Sequence, residues 1–193
     1  MSQEEHFYWL TELKRSIQRN QDDPYHRFVQ LASVTQNGEP RNRTMVFRGF
    51  DPADDSILFC TDQRSAKIDD FVKDGLVELC WYFLRSREQY RLRGEVRFID
   101  NTQKREHIWS KLSLETRAQF SWPAPLELVI EGDDSEGHSK RIPEALEGSA
   151  PSLNFVLFKV DVNVVDYLSL AEDYHRMIFK RSDHGWSTWE VNP

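Results

Sequence analysis

From Gln89 to Phe98 the side chains alternate, with Gln89, Arg91, Arg93, Glu95 and Arg97 on one face and Tyr90, Leu92, Val96 and Phe98 on the other. A period of two is the signature of a strand with one face in a core and one face outside it. Similar short runs flank it, at residues 28–35, around Arg43, at 57–61, 155–165, 177–180 and 186–191. Residues 76–84 are apolar almost without interruption, which predicts a strand buried on both faces. Asn37-Gly38 is a hairpin signal, Asp51-Pro52 to Asp55 a second turn, and Gly185 a third. Short strands joined by tight turns favour an antiparallel barrel over a parallel sheet.

Helical periodicity is confined to the edges of this pattern. Phe7, Leu10, Leu13 and Ile17 recur at three- and four-residue spacing and predict an amphipathic helix at the N-terminus. A second helix is expected from Ser65, carrying Ile68, Phe71 and Val72 inward and stopping at Gly75. Ile108, Trp109 and Leu112 share a helical face, and a short helix over 113–120 ends before Trp122-Pro123. Residues 131–152 are polar, acidic and rich in Gly, Pro and Ser, and read as an exposed loop, with a lid as the alternative. No internal repeat or interdomain linker interrupts the chain, so 1–193 is expected to be a single domain.

The charge balance narrows the function. A net charge of -7 over 193 residues gives no broad basic face for nucleic acid. No apolar run is long enough to span a membrane, and the opening MSQEEHFYWL is too acidic and polar for a secretory signal. The cytoplasm is therefore the expected location. Cys60 and Cys80 lie in strand-like runs and are expected to be buried free thiols. The six histidines are scattered, and no nucleotide-binding glycine loop, zinc-protease helix or nucleophile elbow is present.

The cations of residues 41–67 are unevenly placed. Arg43 and Arg48 belong to the first strand of this stretch, while Arg64, Ser65 and Lys67 gather where the next helix is expected to begin. A helix start with a hydroxyl and cations suits a phosphate. A hairpin with solvated arginines, followed by a capped surface helix, explains the same residues.

Three segments resemble the pyridoxamine 5'-phosphate oxidase-like FMN-binding split-barrel family. They are Arg43-Thr44-Met45-Val46-Phe47-Arg48, Phe59-Cys60-Thr61 and Arg64-Ser65-Ala66-Lys67. The resemblance implies a mainly β fold with peripheral helices, a six-stranded antiparallel Greek-key split barrel that binds FMN. It assigns Arg43, Arg64, Ser65 and Lys67 to the FMN phosphate, with Cys60 and Thr61 in the adjoining strand. Arg64 stands in for the second cation that the family often has where this chain has Ala66. Thr44, Met45 and Val46 would line the flavin ring, and Arg48 would lie near the ring or its substrate face. Gln89 matches a family glutamine that bonds the ring. Arg176 matches a C-terminal arginine near it, and Tyr167 takes the place of a ring-edge tryptophan, with Trp122 a weaker candidate. A homodimer with FMN sites at the subunit interface is implied in the same way.

One point resists. Arg43 and Arg48 are an odd number of residues apart, so a flat strand sends them to opposite faces, and either a bulge or a position at the strand mouth is required.

Three functions are compatible with these residues. The first is an FMN-dependent oxidoreductase on a small substrate, the second pyridoxamine/pyridoxine 5'-phosphate oxidase itself, and the third a non-catalytic flavin-binding or storage protein. The Arg-x-His pair that grips substrate in the oxidase falls here at Glu172 and Tyr174, which argues against the second.

Overall fold

The computed structural model describes residues 8–128, 148–171 and 174–193. The chain forms two compact units, one of Met1–Phe59, Asp69–Arg97 and Lys159–Pro193, the other of Cys60–Ile68 and Phe98–Phe158.

The first unit contains α1 (Tyr8–Arg19) and most of a sheet. The strands are β1 (Phe28–Val34), β2 (Pro40–Val46), β3 (Gly49–Phe50), β4 (Ile57–Asp62), β5 (Leu76–Phe83), β6 (Glu88–Phe98), β7 (Phe155–Ser169), β8 (His175–Ser182) and β9 (Gly185–Val191), with α2 (Lys67–Lys73) between β4 and β5. The sheet order is β2-β1-β5-β6-β7-β4-β3, with β8 pairing β7 and β9. The pairs β1–β2, β1–β5, β3–β4, β5–β6, β7–β8 and β8–β9 are all antiparallel. Adjacency of β1 to β5 and of β7 to β4 gives the non-sequential order expected of a Greek key. Among the described residues the sheet has nine strands where six were expected, because the two-residue β3 and the C-terminal β8–β9 hairpin extend it.

Local sequence explains these elements. At the Asn37-Gly38 turn, Gly38 has φ +84° and Thr35 N–H donates to Glu39 C=O at 2.8 Å. Val29, Leu31 and Ser33 alternate inward along β1, and Leu79, Trp81 and Phe83 do so on β5. Trp81 satisfies its buried indole by donating to His26 C=O at 2.8 Å. The midpoint of β6 has no room for a side chain, since a Cβ on Gly94 would lie 2.4 Å from Asp161 O. α1 packs through Trp9, Leu10, Leu13 and Ser16, with Ile17 half-buried; Phe7 lies outside the described residues.

A polar cluster lies inside this unit. Glu88, 4% exposed, accepts from Arg19 Nη2 at 2.7 Å and Tyr167 Oη at 3.0 Å, while Tyr90 and Ser16 share a 2.8 Å hydroxyl bond. Burial works to raise the Glu88 pKa, but hydrogen bonds from Ser86, Arg19, Ser16 and Tyr167 hold it below the ordinary value.

The second unit contains α3 (Thr102–Ser110), α4 (Leu114–Ala118) and a 3-10 turn, Gln119–Ser121. Asn101 and Ser113 cap the two helices by accepting from Lys104 N–H and Thr116 N–H. Trp109, Phe120 and Phe155 form its aromatic centre, with centroids 5.2–5.6 Å apart. Arg117 stacks over Trp109 and donates to the carbonyls of Ser110 and Leu112, so a buried cation closes the end of α3.

Several expectations are corrected. α2 begins at Lys67, not Ser65, and Val72 is 72% exposed; the inward residues are Phe71 and the acid Asp70. β5 is buried on one face only, and Leu76, Tyr82 and Leu84 are exposed. On β6 the alternation fades beyond Gly94, leaving Val96 half-buried and Phe98 exposed. Cys60 and Cys80 are half-buried, not buried, and neither is in a disulfide. Of the polar loop, 131–147 lies outside the described residues, as does Glu172.

Candidate functional site

In the second unit, β4 runs into a loop stapled by its own side chains. Asp62 Oδ1 accepts from Arg64 N–H at 2.8 Å and Nε at 3.0 Å, and Oδ2 accepts from Nη2 at 2.7 Å. Arg64 Nη1 also donates to Trp122 C=O at 3.0 Å. Gln63 N–H reaches Asn154 C=O at 2.8 Å, and Ile68 N–H reaches Ser65 C=O at 2.9 Å. Within this frame the Lys67 ammonium donates to Thr61 Oγ1 at 3.0 Å and to Ser65 Oγ. Burial pushes the Asp62 carboxyl up, but the bonds and charges of Arg64 and the charge of Lys67 hold it below its usual value. An ammonium between two hydroxyls is a donor set that fits a phosphate oxygen. Trp122 Nε1 is buried without a hydrogen-bond partner among the described residues, leaving one more donor in this unit.

In the first unit, β2 pairs with β1 without a bulge, from Phe28↔Val46 to Val34↔Pro40. Arg43 lies opposite Leu31 and shares the core-facing side with Met45, while Thr44 faces outward and pairs its hydroxyl with Gln30 at 3.0 Å. Val46 is the last residue of the strand, so Arg48 lies beyond it and its orientation is not bound by strand parity. The odd spacing is thus accommodated without a bulge. Arg43 Nη1 donates to Ser33 Oγ at 2.7 Å, and Nη2 lies 3.4 Å from Asp70 Oδ2. Burial lowers the Arg43 pKa, and Asp70 counteracts it.

Arg48 Nε is buried without a hydrogen-bond partner among the described residues. The neighbouring Arg27 donates from Nε to Phe47 C=O at 3.1 Å, and its pKa is pulled down by burial and then by the charge of Arg48. Among the described residues neither guanidinium pairs with a carboxylate. Sequence reasoning missed Arg27, because no motif marks a cation just ahead of a strand.

Gln89, Tyr167 and Arg176 lie elsewhere in the first unit, and Cys60 belongs to the second. Gln89 is half-buried on the outward face of β6, opposite Tyr82, with Cys80 Sγ 3.9 Å from its Oε1. Tyr167 is 5% exposed; its hydroxyl binds Glu88 and its ring packs on Tyr90 and His175. Arg176 grips Asp166 through Nε at 2.8 Å and Nη2 at 2.7 Å. Asp166 lies 3.4 Å from Arg91, which is also bound to Glu78, so charges alternate across β5 to β8. Cys60 is half-buried beside Thr61 on β4. Among the described residues no cluster of ligating side chains could hold a metal ion, and no helix is long and apolar enough to cross a membrane.

A family model described as the FMN-binding domain of pyridoxamine 5'-phosphate oxidase matches residues 6–100. The pyridoxine/pyridoxamine 5'-phosphate oxidase 2 of Arabidopsis thaliana is 33% identical over 197 residues, covering 96% of either chain. Among solved structures, a pyridoxamine 5'-phosphate oxidase-related FMN-binding protein of Nostoc punctiforme superposes with a TM-score of 0.85 and 36% identity, covering 96% of this chain and 97% of that one. PhzG of Burkholderia lata has a TM-score of 0.81 at 18% identity over 95% of this chain and 92% of its own, a likeness of fold alone. The full-length match at this identity decides the matter: the chain belongs to the pyridoxamine 5'-phosphate oxidase-like FMN-binding split-barrel family.

Proposed function

We propose that this chain is an FMN-dependent oxidoreductase acting on a small anionic substrate, working as a cytoplasmic homodimer with FMN sites at the subunit interface. The observation that carries the reading is the Lys67 ammonium set between the hydroxyls of Thr61 and Ser65 in a chain related to FMN-binding proteins along its whole length. When bound, FMN supplies a two-electron acceptor and donor. Lys67, Ser65 and Thr61 would hold its phosphate, Arg43 would add charge, and Arg64 would brace the loop through Asp62. Thr44, Met45 and Val46 would line the ring, Gln89 would hydrogen-bond to it, and Arg176 would offset negative charge on it. Arg27 and Arg48, two close cations without a counter-ion among the described residues, would receive an anionic group of the substrate. The exposed apolar side chains Phe28, Val34, Leu76 and Tyr82 on β1 and β5 favour a second copy over solvent on that face.

Purified protein loaded with FMN and desalted is expected to stay yellow, to prefer FMN over riboflavin, and to scatter light as about twice the 22.9 kDa chain. Reduction by NAD(P)H and reoxidation by oxygen or an organic acceptor would separate an enzyme from a storage protein. Equal retention of riboflavin would refute the phosphate seat, and a stable monomer with full FMN content would refute the shared site.

A second reading, pyridoxine/pyridoxamine 5'-phosphate oxidase, draws support from the Arabidopsis relative of that name. The absence of the Arg-x-His pair at Glu172 and Tyr174 argues for a different substrate. An assay for pyridoxal phosphate formation by the FMN-loaded protein decides between them, and turnover well below that of a genuine oxidase is the expected result.

A further inference from the structure

Asp70 is an acid where α2 would ordinarily bury an apolar side chain, and it is only 4% exposed. A buried carboxylate survives when its oxygens are paired. Oδ2 accepts from Ser33 Oγ at 2.8 Å and lies 3.4 Å from Arg43 Nη2, while Oδ1 lies 3.5 Å from Arg41 Nη1.

Ser33 makes the arrangement directional. A hydroxyl has one hydrogen, and here it goes to Asp70, so the lone pairs of Ser33 are left for Arg43, whose Nη1 donates at 2.7 Å. A second bond from Nη1 to Leu31 C=O, at 3.3 Å, completes the grip. Both terminal nitrogens of Arg43 are fixed in this way, and Nε donates to no described residue. Two arginines facing one carboxylate leave the cluster with positive charge, so Asp70 orients Arg43 without cancelling the local field.

We propose that Asp70, acting through Ser33, is a positioning residue that holds the Arg43 guanidinium in place for the FMN phosphate. The proposal rests on the FMN reading above. Its consequence is specific to the phosphate: loosening Arg43 weakens the hold on FMN and leaves a flavin without phosphate unaffected.

The test measures dissociation constants for FMN and for riboflavin by flavin fluorescence, on full-length wild type, Asp70→Asn, Asp70→Glu and Ser33→Ala, alongside apo melting temperatures. Asp70→Asn is expected to weaken FMN about tenfold, the loss of one charge-assisted hydrogen bond, with riboflavin changed by less than about twofold. Asp70→Glu, which keeps the charge, is expected to restore part of the preference for FMN. In an Arg43→Ala background Asp70→Asn should cost FMN nothing further. Should Asp70→Asn fail to fold, Ser33→Ala carries the same test, since it leaves the acid beside both arginines. An equal loss of FMN and riboflavin, an unchanged FMN constant or a tighter one overturns the proposal while the FMN reading stands. A wild type that does not distinguish FMN from riboflavin overturns that reading, and this proposal with it.

Discussion

Substituting Gly94 by alanine tests the packing of the sheet with one methyl group. Gly94 is buried at the centre of β6, and the added Cβ would stand 2.4 Å from Asp161 O, 2.9 Å from Asp161 C and 3.0 Å from Val160 Cγ1. The nearest obstacle is a carbonyl within β7, so no flexible side chain can swing aside. The backbone of Gly94 lies outside the left-handed region, and alanine there gains about 0.4–1 kcal/mol by restricting the unfolded chain. Against this stands overpacking, which costs roughly 1–3 kcal/mol in ordinary cores and belongs at the upper end where backbone must move. The net expectation is a loss of about 2 kcal/mol. For a chain of this size that lowers the melting temperature by roughly 4–8 °C. Urea denaturation followed by circular dichroism should show a lower midpoint with an unchanged m-value. A midpoint within error of wild type would show that β6 and β7 do not approach as closely as described.

Lys67→Met keeps the length of the stem and removes the ammonium; FMN retention should fall roughly 10- to 100-fold with little change in fold, measured by flavin fluorescence after desalting. Arg48→Gln should raise KM for an anionic substrate more than it lowers kcat once a substrate is found, and equal loss in both would remove Arg48 from ground-state binding. Stability should also depend on acid. The folded pKa of Glu88 lies below its ordinary value, and that of Asp54 is lowered to about 2 by Lys159 and Ser56 against the opposing effect of burial. The unfolded chain therefore takes up protons first, so these contributions are complete above the ordinary carboxylate range and are lost as pH falls through it. A melting temperature flat from neutrality down to about pH 5 and falling below it is expected, with a shallower fall in Glu88→Gln; a flat profile to pH 3 would contradict the assignment.

What the sequence made legible is local. The Asn37-Gly38 hairpin, the alternation of β6 up to Gly94 and the short helix after Ser113 each depend on residues within a few positions of one another. The inward turn of Asp70 was not legible, because its justification lies in Ser33 and Arg43, about thirty residues earlier in the chain. Leu76 and Tyr82 look the same in sequence whether they face a core or the outside, so β5 was read as buried on both faces. Strand parity applied to Arg43 but not to Arg48, because β2 stops at Val46 and pattern alone does not mark that end. The same blindness hid Arg27, which gains meaning only from its neighbour Arg48.

The buried Glu88 has a consequence for how the sheet assembles. A strand with a period of two can slip by one residue and still form a full ladder, with every side chain sent to the wrong face. In β6 such a slip would bury Gln89 or Arg87 where Glu88 now meets Arg19 and Tyr167, and it would strand the Tyr90 hydroxyl away from Ser16. Each mis-registered ladder would leave buried donors or charges without partners, while the native one pairs Glu88 Oε1 with Arg19 and Tyr167 and the Tyr90 hydroxyl with Ser16. The cluster therefore works as an index mark: the polar contacts that α1 and β7 make with β6 are met together in this register.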